Sequence, residues 1–203
     1  MLGLALQKIE TSLRRMKTVM SRMHEKCAPE AFFNKLRPFL AGWDSLAFQK
    51  KGLEGLIYEG VSTVPKRLVG GTAAQSSTLP SFDAALGVQA PAPEKKLLDT
   101  FRDYMPPAHS DFIDAVRNGP SIKSYVSNSN INSLHELYNR CLTALEQFRS
   151  YHIQLTARYI VAMANKKNNS EQSSQALAGT GGTGFMDFLK NLRDNTKDMA
   201  FKS

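Results

Sequence analysis

The sequence predicts an all-α protein, a multi-helix bundle, and three observations support that fold class. Apolar residues recur every three or four positions from Leu134 to Met163, which is the repeat of a helix that turns one face into a core. Residues 2–23 step alternately by four and three, the heptad pattern of a long helix that packs along its neighbours. Proline and glycine divide the rest of the chain into short stretches with helical periodicity. We expect these helices to form a single domain over residues 1–203.

The composition of the chain excludes several classes of protein. The 203 residues are 42% apolar, which is enough for a substantial core. No run approaches the length of a membrane span, and the apolar start lacks a preceding basic region, so we expect no membrane partner and no signal peptide. Cys27 and Cys141 are too few for a disulfide framework, which favours a reducing, cytoplasmic location.

The net charge of +8 raises the question of nucleic-acid binding. The basic residues are spread along the predicted helices, without the interleaved aromatic residues or the finger spacings typical of nucleic-acid-binding modules. We therefore interpret the charge as a solvated basic surface and expect no nucleic-acid partner. An acidic protein surface remains open as a partner.

The first two helices are predicted on different grounds. The heptad residues of the first helix run from Leu2 to Met23, and they favour packing within a bundle or, alternatively, a short coiled coil for self-association. The second helix begins at Pro29, because proline suits the first turn of a helix. Pro38 disfavours helical geometry at the preceding residue, Arg37, and removes a helix hydrogen bond.

The stretch 43–77 is irregular, because glycine and proline break its periodicity. Within it, residues 70–73 lack the lysine and the spacing of a phosphate-binding loop, so we expect a turn that opens a helix. Three short helices follow, and turn residues end each of them. They contain Phe82, Phe101 and Ile113.

His152 interrupts the apolar stripe of the long helix. It lies one turn after Phe148 and one turn before Leu155, where another leucine or methionine is usual. An imidazole in a core needs a partner, since an unpaired buried polar group costs about 1–3 kcal/mol. That partner is either a carbonyl or hydroxyl group in the core, or a metal such as haem iron. The spacing alone does not choose between them.

The chain becomes polar after the long helix, and we expect a mobile loop near 165–183. The Gly-Thr-Gly-Gly-Thr sequence at 179–183 is by itself typical of a linker. A last amphipathic helix is predicted from Phe185 to Leu192.

Six groups of residues, in their order along the chain, resemble the large helical domain of the indoleamine 2,3-dioxygenase family. The groups are Ala31-Phe32-Phe33 with Arg37 and Gly42-Trp43, Tyr58-Glu59-Gly60, Gly70-Gly71 with Gln75-Ser76-Ser77, residues 104–109, Arg149-Ser150-Tyr151-His152, and residues 179–183. They cover nearly all of the chain, so the match is specific.

The resemblance implies a haem-binding bundle and a role for particular residues. The implied cofactor-binding residues are His152, Arg149, Gly71, Thr72, Ala73 and Asp83. The implied substrate-binding residues are Phe32, Phe33, Arg37 and Thr180. His152 is the implied ligand to the iron, and Arg149, organised by Asp83, is expected to pair with a haem propionate. Arg37 is expected to bind a substrate carboxylate, because guanidinium pairs well with that group.

The remaining roles complete the expected site. Either Phe32 or Phe33 is expected to pack on the indole ring, and Thr180 to approach the substrate from a lid with glycine hinges. The backbone of 71–73 is expected to lie over the haem, where missing side chains leave room for a ligand.

The family's activity is the oxidative opening of the indole ring of L-tryptophan, or of a related indoleamine, with molecular oxygen as co-substrate. The product is N-formylkynurenine, an intermediate of the kynurenine pathway. No catalytic side chain is implied, because the iron of haem b carries the chemistry. The family also places a smaller domain before this region, which makes such a domain an expected partner. Three alternatives stay open: a haem protein that senses or carries without turnover, a structural helical bundle, and an inactive fragment.

Overall fold

The structure is a computed structural model that describes residues 1–43, 49, 51–52, 54–166 and 185–201. Across these residues the protein is all-α, which confirms the predicted fold class. Their only β-type pairing is an isolated antiparallel bridge between Leu56 and Lys66. None of the helices described is both long enough and apolar enough to cross a membrane.

Within 1–40 and within 78–166 the helices follow one another with short connections. They are α1 (Leu2–Ser21), α2 (Met23–Lys26), α3 (Pro29–Ala31), α4 (Thr78–Leu86), α5 (Ala92–Arg102), α6 (Pro107–Asn118), α7 (Ile122–Ser127), α8 (Asn132–Thr156), α9 (Ala162–Lys166) and α10 (Phe185–Asp198). A π-helical turn, Phe32–Leu36, and a 3₁₀ turn, Arg37–Leu40, extend α3, and a second π-helical turn, Ala157–Val161, joins α8 to α9.

The chain divides into two compact units. The first comprises Met1–Arg22, Ala74–Ile153 and Phe188–Ser203, and the second comprises Met23–Ala73 and Gln154–Asp187. The expectation of a single domain over residues 1–203 stays a prediction. Most of the predicted mobile loop lies outside the described residues, and so does Thr180.

The core of the first unit forms where α1, α4, α7 and α8 bury their apolar faces. Its buried residues are Leu6, Leu13, Leu86, Val88, Val126, Tyr138, Cys141, Leu142, Ala144 and Leu145. The heptad stripe of α1 therefore packs within the bundle, as one of its two interpretations predicts.

An ion-pair cluster ties α1 to α8. The carboxylate of Glu10 is almost fully buried, and its two oxygens each lie 2.8 Å from a guanidinium nitrogen, one of Arg14 and one of Arg140. Burial raises the pKa of Glu10, but the hydrogen bonds and charges of the two arginines outweigh it and leave the pKa lowered. The carboxylate is therefore charged at neutral pH.

The second unit has its own small apolar cluster around Phe33. Met163 and Ala164 are buried with Phe33, and Ile160 packs against them. Its two π-helical turns meet where the rings of Phe32 and Tyr159 pack edge to face, with centroids 5.7 Å apart. Such turns are often found at functional sites.

One expectation about local structure was wrong, and one helix was not predicted. Arg37 has helical backbone angles, φ −55° and ψ −37°, although proline follows it. A 3₁₀ turn begins at Arg37, so Pro38 occupies a first-turn position, where its missing N–H breaks no helix hydrogen bond. The helix Ile122–Ser127 was not predicted, because it is short and has little apolar periodicity. The side chain of Ser121 accepts a hydrogen bond from the Ser124 N–H and caps it.

Candidate functional site

His152 lies near the end of α8, on the face that carries the buried residues of that helix. Its side chain is half-buried, and burial lowers the pKa of the imidazole below its ordinary value. The ring is therefore neutral at physiological pH. A neutral imidazole is the form that donates a nitrogen lone pair to a metal.

Arg149 lies one turn before His152 and is 8% exposed. Its Nη2 atom donates to both carboxylate oxygens of Asp83, at 2.8 Å each. Burial raises the pKa of Asp83, while the charge and hydrogen bonds of Arg149 oppose that rise. The structure thus brings together two of the predicted cofactor-binding residues, and the propionate role of Arg149 stays a prediction.

Thr196, in α10, was missed by the sequence analysis. Its side chain is fully buried and accepts a hydrogen bond from Arg149 Nη1. The same nitrogen donates to the backbone oxygen of Leu192 at 3.4 Å. No sequence signal marks this threonine, because its role depends on a contact 47 residues away along the chain.

Phe32 and Phe33 lie in the second unit and have different surroundings. Phe33 is 8% exposed and packs in the apolar cluster with Met163. Phe32 is half-buried, and its ring meets that of Tyr159. The hydroxyl of Tyr159 donates to the backbone oxygen of Cys27 at 2.7 Å, which fixes the ring that Phe32 packs on.

Arg37 lies in the same unit, directly after the π-helical turn that contains both phenylalanines. Its guanidinium carbon is 5.6 Å from the centroid of the Phe33 ring, within the range of a cation–π contact. Burial lowers the pKa of Arg37, but arginine remains charged at neutral pH. The guanidinium therefore places a permanent positive charge beside an aromatic ring, and this pairing suits an aromatic ligand that carries a carboxylate.

The backbone of 70–73 is held by a close approach to Gly42. A Cβ atom on Gly42 would lie 2.4 Å from Gly70 N and 2.5 Å from Leu68 O, so only glycine fits there. Within the part of the chain that the structure describes, a Cβ on Gly71 would meet only the Leu40 side chain, at 3.7 Å. Space beside residue 71 is consistent with its predicted place next to a cofactor.

The predicted residues thus form groups within each unit. His152, Arg149 and Asp83 belong to the first unit, and Phe32, Phe33, Arg37 and 71–73 belong to the second. Among the described residues, no three histidine, cysteine, aspartate or glutamate side chains cluster as a metal site. A lone neutral imidazole fits haem iron, since the porphyrin would supply four nitrogen ligands and a single protein nitrogen would be enough to hold the group.

Comparison with known proteins agrees with these observations. A family model described as "Indoleamine 2,3-dioxygenase" matches residues 1–199. Indoleamine 2,3-dioxygenase 2 of Homo sapiens is 39% identical over 95% of this chain and 48% of its own length. Indoleamine 2,3-dioxygenase 1 of Rattus norvegicus is 36% identical over 95% of this chain and 49% of its own. A myoglobin of Haliotis madaka is 38% identical over 93% of this chain and 49% of its own. The chain spans about half the length of these relatives.

Proposed function

This chain belongs to the indoleamine 2,3-dioxygenase family, and we propose that it forms the haem-binding part of an enzyme that opens the indole ring of L-tryptophan. The expected product is N-formylkynurenine, with both added oxygen atoms taken from molecular oxygen. The observation that carries this proposal is the neutral, half-buried His152 within the Arg-Ser-Tyr-His sequence of a chain matched along almost its whole length.

We propose that His152 holds the haem through one ring nitrogen. Arg149, fixed by Asp83, lies one turn away and orients the helix segment that carries the ligand. The backbone at 71–73 is expected to contact the haem, which requires small side chains there. The open space beside Gly71 supports this expectation. When bound, haem supplies the activation of molecular oxygen, and the side chains supply binding and orientation.

Substrate recognition is assigned to the second unit. The guanidinium of Arg37 binds the carboxylate of tryptophan, and the neighbouring Phe33 ring helps to orient that guanidinium. Phe32 or Phe33 packs on the indole, and its apolar surroundings exclude water from the reacting ring. Thr180 completes the proposed set, at a position outside the described residues.

A second candidate function is haem binding without turnover, for oxygen carriage or sensing. One relative that supports it is the Haliotis madaka myoglobin, which is 38% identical over 93% of this chain, whereas the Rattus norvegicus dioxygenase is 36% identical over 95%. This function uses His152 in the same way but requires neither Arg37 nor Thr180. Formation of product from tryptophan distinguishes the two candidates.

The test begins with a titration of the purified chain with haemin. We expect one haemin per chain and a Soret band characteristic of histidine-ligated iron. His152→Ala should abolish stoichiometric binding while most helicity remains in far-UV circular dichroism. His109→Ala is the matched control, because His109 is exposed and its ring forms a hydrogen bond with the Ser77 hydroxyl at 3.1 Å. An unchanged Soret band in His152→Ala would overturn the proposal.

A further inference from the structure

We propose that Thr196 is a positioning residue for His152 and that it acts through Arg149. The inference rests on the proposed function, since it assumes that His152 binds haem iron. It adds a role for α10, because no expected cofactor or substrate contact involves a residue of that helix.

The hydroxyl of Thr196 has fixed donor and acceptor roles. It donates to the backbone oxygen of Leu192 at 2.8 Å, one turn earlier in α10. Its lone pairs are therefore available to accept from Arg149 Nη1. Because Thr196 is fully buried, no water replaces the hydroxyl when it is removed.

Arg149 is thereby held from two sides. Its Nη2 atom is bound to both oxygens of Asp83 in α4, and its Nη1 atom is bound to Thr196 in α10. A planar guanidinium bound at both ends has little freedom to rotate. Among the residues that the structure describes, loss of the Thr196 contact leaves the buried Nη1 group with only the longer bond to Leu192.

The connection to His152 follows from helix geometry. Residues three apart on a helix are neighbours on its surface, so the side chains of Arg149 and His152 share one turn of α8. Contacts that fix the rotation and position of this turn also fix the direction of the imidazole. Groups that orient a metal ligand without touching the metal commonly change metal affinity by about tenfold or more when they are replaced.

Other contacts show that α10 is firmly attached to the first unit. Asn191 donates to the buried Glu94 at 2.7 Å, and Asn195 donates to the backbone oxygen of Gln89 at 2.6 Å. These contacts keep the helix in place without Thr196. Removing one hydroxyl therefore tests positioning and not attachment of the helix.

The experiment measures haemin loss to excess apomyoglobin and, in the ferrous protein, the iron–histidine stretching band in resonance Raman spectra. Thr196→Val should lose haemin about tenfold faster and shift the band. Thr196→Ser keeps the hydroxyl and should stay within about twofold of wild type. Thr100→Val is the matched control, because Thr100 is exposed and donates only to Lys96 O, at 3.2 Å.

A double-variant cycle tests the path of the effect. If Thr196 acts through Arg149, Thr196→Val should have no further effect in an Arg149→Met background. The inference would be overturned if Thr196→Val increased the rate of haemin loss equally in both backgrounds. It would also be overturned if Thr196→Val kept the wild-type rate of haemin loss and the wild-type Raman band. Thr196→Ala serves in the same cycle if circular dichroism shows that the valine variant is unfolded. Failure of the wild-type chain to bind haemin would instead overturn the proposed function and the positioning role with it.

Discussion

At the scale of single residues, His152 and Arg37 show that burial has different consequences for two kinds of basic side chain. Burial lowers the pKa of both side chains, because it disfavours their charged forms. An imidazole ordinarily titrates near neutrality, so a lowered pKa leaves His152 neutral, which is the form that the proposed haem contact requires. The guanidinium titrates far above neutrality, so it remains a cation suited to a carboxylate.

Replacement of Arg37 tests its proposed contact with substrate. Loss of one charged hydrogen-bonded contact costs about 1.5–3 kcal/mol, so Arg37→Ala should weaken tryptophan binding by about tenfold to a hundredfold. The dissociation constant is measured from haem difference spectra of the haemin-loaded chain. Tryptamine, which lacks the carboxylate, should bind both proteins nearly equally. Equal losses for both ligands would assign Arg37 a structural role through its contact with Phe33.

A pair of glycines offers a prediction about stability. Gly42→Ala should lower the free energy of unfolding by about 1–3 kcal/mol, because the new Cβ meets backbone at 2.4 Å. Gly71→Ala should change it by less than about 0.5 kcal/mol, since the nearest atom among the residues described is a flexible leucine methyl at 3.7 Å. Urea unfolding measures both. Equal effects of the two variants would contradict the close packing at Gly42.

At the scale of elements, α8 carries both the core of the first unit and the candidate ligand. Cys141 is fully buried in it, and its thiol donates to the backbone oxygen of Leu6 at 3.2 Å. Burial, and next the charge of Glu10, raise the pKa of Cys141 from 9.0 to about 11. The thiol is therefore inert at neutral pH, in agreement with a packing role.

The raised pKa predicts a loss of stability at alkaline pH. The unfolded chain releases the Cys141 proton near pH 9.0, whereas the folded chain keeps it to about 11. Between these values the folded state binds more protons, so its stability falls as the pH rises, by up to about 1.4 kcal/mol per pH unit from this group. Cys141→Ala should flatten urea-derived stability across this window relative to wild type. Cys27→Ala is the control, and an unchanged slope in Cys141→Ala would contradict the assignment.

The sequence predicted the long elements well, because repeated apolar positions along α1 and α8 determine which faces are buried. The prediction from sequence failed at Arg37, where two rules of local structure compete. Pro38 normally disfavours a helical residue before it, but the change from a π-helical to a 3₁₀ turn at Arg37 provides a proline-compatible first turn. It could not predict the Arg149–Thr196 contact, because that pairing depends on how α8 and α10 pack and not on local sequence.

At the scale of the whole molecule, the chain has less surface to bury than its longer relatives. It spans 48% of the length of the human relative. The buried fraction of surface rises with chain length, and exclusion of water strengthens every electrostatic contact in an active site. Apolar side chains such as Phe39, 86% exposed, and Val61, 81% exposed, lie at the surface of the second unit.

We therefore predict that the 203-residue chain alone turns over tryptophan poorly, even when loaded with haemin. Addition in trans of the small domain implied by the family should raise turnover, because it reduces water access to the reacting groups and adds apolar contacts to the indole. The measurement is formation of N-formylkynurenine by the haemin-loaded chain, with and without that domain, and with the His152→Ala chain as a blank. An unrelated domain of similar size controls for crowding. Full turnover by the isolated chain, with no increase when the domain is added, would show that this chain excludes water by itself.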